Sequence, residues 1–141
     1  MTTIELNRFL KAQRFIIDTA LDEFANGKKK SHWMWFVFPQ VPGLGRSSKS
    51  EQFAIHGRDE AEAYFDHPIL GDRLLKCTEL FLDHKDKSSL QILGFPDHLK
   101  MKSCMTLFAH CQKKSHVFQE VLDVFYDGEQ CSRTLEFLKN G

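Results

Sequence analysis

Leu6, Phe9, Leu10, Gln13, Ile17, Ala20, Leu21 and Phe24 recur at the spacing of a single helical face. They predict a long first helix, which Asn26-Gly27 ends with a left-handed turn signal. Gln13 is the polar exception within that stripe. Asp59-x-x-Glu62 has the form of a capping box opening a short helix through Phe65. Pro68 suits the first turn of the next helix, where Leu70, Leu74, Cys77, Thr78 and Phe81 share a face. Ser88-x-x-Gln91 opens a brief turn that Gly94 closes. Pro96 and Asp97 start a helix that turns Met101, Cys104, Met105, Phe108 and Cys111 inward. Ser115 is expected to cap a helix through Phe125, ended by Asp127-Gly128, and a last short helix carries Leu135 and Leu138.

The stretch Ser31–Gln40 (SHWMWFVFPQ) suits either a buried strand or a short helix capped by Ser31 and stopped by Pro39. A lone strand would lack a partner, so helix is expected. Val41–Ser50, with its Pro, two Gly and three Ser, predicts a loop. Strand-like alternation is missing almost everywhere. The expected fold is all-α, with residues 1–141 forming one compact domain of six to eight helices.

Composition bears this out as a folded chain: 141 residues are 42% hydrophobic and 12% aromatic, enough for one sizeable core. No apolar run approaches the roughly 18 residues needed to span a bilayer, and no secretory leader is evident. Four scattered cysteines without a C-x-x-C pair point to reduced thiols and a cytoplasmic setting. Nineteen basic and nineteen acidic residues cancel, which argues against tight nucleic-acid binding.

That zero hides an uneven distribution. Residues 24–50 and 98–119 contain no acid, yet hold Lys28, Lys29, Lys30, Arg46 and Lys49, then Lys100, Lys102, Lys113 and Lys114. If they lie side by side, they make a positive, aromatic-lined concavity suited to phosphate or carboxylate. Gly43-Leu44-Gly45-Arg46-Ser47-Ser48 can wrap an anion with backbone N–H groups, a guanidinium and hydroxyls, although it matches no nucleotide-binding fingerprint. Leu99, Lys102 or Ser103, Thr106 and His110 fall roughly at i, i+3/4, i+7 and i+11, a mainly polar stripe beside the apolar one on their helix.

Trp33 and Trp35 offer flat stacking surfaces, one of them at least expected in the core, and His32 is the candidate acid–base residue. Gln13 and Gln40 complete the candidate ligand-binding set with Gly45, Arg46, Ser47, Lys102, Ser103 and Thr106. Gln13 is expected to hydrogen-bond to the Ser31–Gln40 segment or line a polar pocket beside it, because a buried amide cannot stay unpaired cheaply. No metal site is expected: Cys104, Cys111 and His116 lack a standard zinc spacing. No Cys104–His110 nucleophilic pair is expected, since the two point to different sides, and no cofactor is implied.

SHWMWFVFPQ, GLGRSSKS, AEAYFDHPILGDRL, PDHLKMKSCMTLFAHC and FQEVLDVFYDGEQCSRTLEFL together resemble the uncharacterised domain-of-unknown-function family "eighteen-ten" over roughly residues 9 to 138. Some of its members carry a calpastatin-like label, which suits an extended inhibitor and not a chain with this many aromatic and amphipathic positions. The resemblance implies a compact, mainly helical domain and no established reaction. Cys104 stands where the family pattern has a second Ser beside Ser103. Two functions remain in view: binding, with or without hydrolysis, of an anionic phosphate-bearing small molecule, and a non-enzymatic module that docks protein or single-stranded RNA through an aromatic and basic face.

Overall fold

A computed structural model describes residues 6–43, 48–111 and 116–140. The helices are α1 (Asn7–Gln13), α2 (Ile17–Ala25), α3 (Met34–Val37), α4 (Ser48–Gln52), α5 (Arg58–Asp66), α6 (Leu70–Leu82), α7 (Ser89–Leu93), α8 (Asp97–Ala109), α9 (Val117–Tyr126) and α10 (Ser132–Asn140). Among the described residues there is no strand, and seven of these helices have at least seven residues. The fold is all-α, as expected.

The two longest helices carry the core. Leu70, Leu74, Cys77, Thr78 and Phe81 of α6 are fully buried, and α6 packs against α2, α5 and α9. Helix α8 is covered by α5, α7, α9 and α10, so burial runs without interruption from Ser103 to Phe108. Such a helix is apolar on one side and polar but still enclosed on the other, where Ser103 and Thr106 are buried.

Local signals explain most boundaries. The Ser88 hydroxyl accepts the Gln91 N–H at 3.0 Å and the Gln91 side chain accepts the Ser88 N–H at 2.7 Å, so the turn expected at Ser88-x-x-Gln91 is a full capping box. Gly27, at φ 70°, ends α2 as anticipated, and Asp127 takes the left-handed conformation after α9.

Several expectations need correction. The first helix is interrupted at Arg14–Ile16, so the predicted stripe runs through two helices, although Phe9, Gln13, Ile17, Ala20 and Phe24 all face the core. Asp59 does not cap α5; its cap position is Gly57, without a side-chain hydrogen bond. Pro68 precedes α6 instead of lying in its first turn, and the His67 imidazole Nδ1 accepts the N–H groups of Ile69 and Leu70 there. Ser31 does not cap the aromatic segment, whose helix α3 is only four residues long and starts after Trp33. The end of the expected 41–50 loop is helical, as α4. The predicted Ser115 cap lies outside the described residues.

Candidate functional site

The chain between α2 and α3 is fixed by one carboxylate. Glu23 is buried, and its oxygens accept the backbone N–H groups of Lys30 (2.7 Å) and Ser31 (3.0 Å), the Ser31 hydroxyl, and the Trp33 indole N–H (3.0 Å). Burial pushes this carboxyl up, but the Ser31 hydroxyl, the two backbone donors and the indole outweigh it and hold Glu23 at about 2. Trp33 is thereby locked into the core, 5.0 Å from the Phe24 ring.

Gln13 fixes the far end of the same segment. Its amide Nε2 donates to the Phe36 carbonyl at 2.6 Å and to the Tyr64 hydroxyl at 2.9 Å, while Arg73 donates to its Oε1 at 3.2 Å. The expected tie between Gln13 and the aromatic segment is therefore present.

Held at both ends, the segment forms one wall of a cleft of about 300 Å³, lined by Lys29, His32, Trp35 and Phe36 on one side and Asp97 and Lys100 on the other. Lys29 and Lys100 come from the two acid-free stretches. They converge on Asp97, Lys29 Nζ at 2.7 Å from Oδ2 and Lys100 Nζ at 3.1 Å from Oδ1. Burial pushes the Asp97 carboxyl up, but hydrogen bonds from the two ammonium groups outweigh it and lower it below the ordinary aspartate value. The Lys100 ammonium also lies 4.1 Å from the Trp35 ring centroid, and Lys29 donates to the Ser31 carbonyl. His32 stands exposed beside this cluster.

The candidate residues thus divide. His32, Trp33 and Trp35 line the cleft, the Trp33 ring with the Lys29 ammonium 5.0 Å from its centroid, and Gln13 is buried in the core. Gln40 is buried, and its side-chain Nε2 has no hydrogen-bond partner among the described residues. Lys102, Ser103 and Thr106 lie elsewhere: Lys102 pairs with Glu129, Ser103 Oγ donates to Leu99 O or Cys131 Sγ, and Thr106 Oγ1 accepts the Cys131 N–H at 2.9 Å. Lys100 and Lys102 are roughly 200° apart around the helix, which separates them into two faces. Gly45, Arg46 and Ser47 lie outside the described residues. Lys29, Asp97 and Lys100 were not among the candidate ligand residues, although the acid-free stretches pointed to both lysines.

Among the described residues no group of three or more His, Cys, Asp or Glu could hold a metal ion, and no helix is long and apolar enough to cross a membrane. A larger open depression of about 580 Å³ runs along α1 beside Gln52 and Phe53. Its Arg8 is engaged by Glu60 and by the carbonyls of Gln52 and Ala54, which makes it a brace between elements.

The chain is similar to the conserved hypothetical protein Rv1873 from Mycobacterium tuberculosis, with a TM-score of 0.93, 40% sequence identity, and coverage of 95% of this chain and 96% of that one. A comparison with curated proteins found no match. Residues 3–138 match the family described as protein of unknown function DUF1810, and the chain belongs to that family.

Proposed function

We propose that this domain binds a small anionic, phosphate-bearing molecule in the cleft between the Lys29–Phe36 segment and the start of α8. The observation that carries this reading is the meeting of Lys29 and Lys100 over a single carboxylate, beside the partly open Trp35 ring. Each ammonium has three N–H donors. Lys29 gives one to Asp97 and one to the Ser31 carbonyl, and Lys100 gives one to Asp97, so donors remain for an anion. The cluster carries one excess positive charge before His32 is counted, and Trp35 offers a flat apolar surface for the rest of the ligand. The cleft volume of about 300 Å³ suits a mononucleotide or a sugar phosphate.

Binding without turnover fits the lining best. Asp97, its carboxylate, is tied up by both lysines, so among the described lining residues no unpaired carboxylate is left to act as a base. A second reading, docking of a protein partner, draws on a specific feature: Leu90, Phe95 and Leu99 are exposed large apolar residues close to the start of α8.

Thermal melting in inorganic phosphate, adenosine monophosphate and glucose 6-phosphate tests the proposal. A ligand present at about a hundred times its dissociation constant should raise the melting temperature by about 5 °C or more. Lys100→Ala should abolish that rise. Melting curves that do not move with any phosphate compound would favour the docking reading.

A further inference from the structure

Against the other face of α8 lies a cysteine unlike the remaining three, Cys131. Cys77, Cys104 and Cys111 are buried among apolar groups, and burial pushes their thiols up, Cys77 and Cys111 to about 12. Cys131 is half-buried and immediately precedes the first residue of α10, where the backbone N–H groups of the opening turn point outward. Its own N–H donates to Thr106 Oγ1 at 2.9 Å, which fixes the backbone and so the position of the sulfur. Ser103 Oγ stands 3.2 Å from Sγ as a donor.

Thr134 supplies an independent observation. It is fully buried, and among the described residues its hydroxyl has no hydrogen-bond partner. The group it faces is the Cys131 sulfur. A neutral thiol is a weak acceptor, so a buried hydroxyl aimed at one is left nearly unsatisfied. A thiolate, or an oxygen carried by the sulfur, accepts strongly. Burial raises the Cys131 thiol, but the Ser103 and Thr134 hydroxyls and the backbone N–H groups of Thr134 and Arg133 outweigh it and bring it below the ordinary cysteine value.

We propose that Cys131 is a peroxide-reactive nucleophile, whose sulfur takes one oxygen from hydrogen peroxide and holds it against Ser103 and Thr134. The thiolate sulfur attacks one peroxide oxygen; an S–O bond forms as the O–O bond breaks. The bonding pair leaves on hydroxide, which takes a proton from solvent and becomes water. Sulfur is oxidised to a sulfenic acid while the peroxide is reduced. This site is separate from the Lys29–Lys100 cleft, and it stands or falls without it.

Intact folded protein is treated with substoichiometric hydrogen peroxide and dimedone, and the adduct is mapped by peptide mass spectrometry. In parallel, iodoacetamide labelling of Cys131 is followed against pH in the wild type, Thr134→Val and Ser103→Ala. The expected result is a dimedone adduct confined to Cys131 and lost in Cys131→Ser, with a wild-type labelling midpoint below the ordinary thiol range. Each hydroxyl deletion should raise that midpoint by about one pH unit. The rate at pH 7 should fall only about threefold, because a more basic thiolate is intrinsically the better nucleophile. A wild-type midpoint of about 8.5 or higher overturns the proposal. So does peroxide labelling that ranks Cys131 level with or below the other three cysteines. If Thr134→Val fails to fold, Ser103→Ala and the wild-type profile still decide.

Discussion

Gln13 is a polar residue in an apolar stripe that satisfies all the demands of its burial. Its amide donates to Phe36 O and Tyr64 Oη and accepts from Arg73, so one side chain joins α1 to α3, α5 and α6. Gln13→Leu should therefore destabilise the fold by about 1–3 kcal/mol, since a buried carbonyl and a guanidinium lose a partner. Urea unfolding would show this as a lower midpoint with an unchanged slope. Equal or greater stability in the variant would mean that the amide serves a ligand and not the fold. The need for a partner was legible in the sequence, because Gln13 shares a face with Phe9 and Ile17. Its partnership with Tyr64 and Arg73 was not, since those residues lie 51 and 60 positions away and no local pattern encodes such a meeting.

At the scale of elements, apolar periodicity proved a better guide than terminal chemistry. The α6 and α8 stripes face inward as spaced, whereas Asp59 and Ser31, both credible caps, have other surroundings. Ser31 gives its hydroxyl to Glu23, a residue on the preceding helix, because a buried carboxylate outcompetes a four-residue helix for the donor. That tie has a pH signature. Glu23 is depressed from 4.5 to about 2, so its stabilising contribution is complete above pH 4.5 and disappears as pH falls toward 2. Urea midpoints measured from pH 6 down to about pH 2.5 should drop along an acid limb, and Glu23→Gln should make that limb shallower. An unchanged limb would remove Glu23 from the account. The α5–α6 crossing is equally specific: a Cβ at Gly71 would lie 2.0 Å from the Phe65 carbonyl oxygen, a backbone atom that cannot swing aside. Gly71→Ala should cost about 1–3 kcal/mol in thermal or urea unfolding. A neutral substitution would show that α5 and α6 can slide apart freely.

For the molecule as a whole, α8 is the partition. Lys100 turns into the cleft with Lys29 and Trp35, while Lys102, Ser103 and Thr106 turn toward the Glu129–Cys131 chain. The charge map anticipated that residues 24–50 and 98–119 would meet, and the Trp35–Lys100 contact joins them. It did not anticipate Asp97, the acid immediately before the second stretch, which binds the two lysines together. Nor did the polar stripe on α8 reveal that α10 would cover it, because which helix lies over a given face is a property of the whole packing. The most direct test of the cleft is an NMR titration of ¹⁵N-labelled protein with adenosine monophosphate. Binding there should move the Trp35 indole resonance and the amides of residues 29–36 and 97–101. Resonances that remain fixed at millimolar ligand, or shifts gathered on another face of the molecule, would contradict an anion site at Lys29 and Lys100.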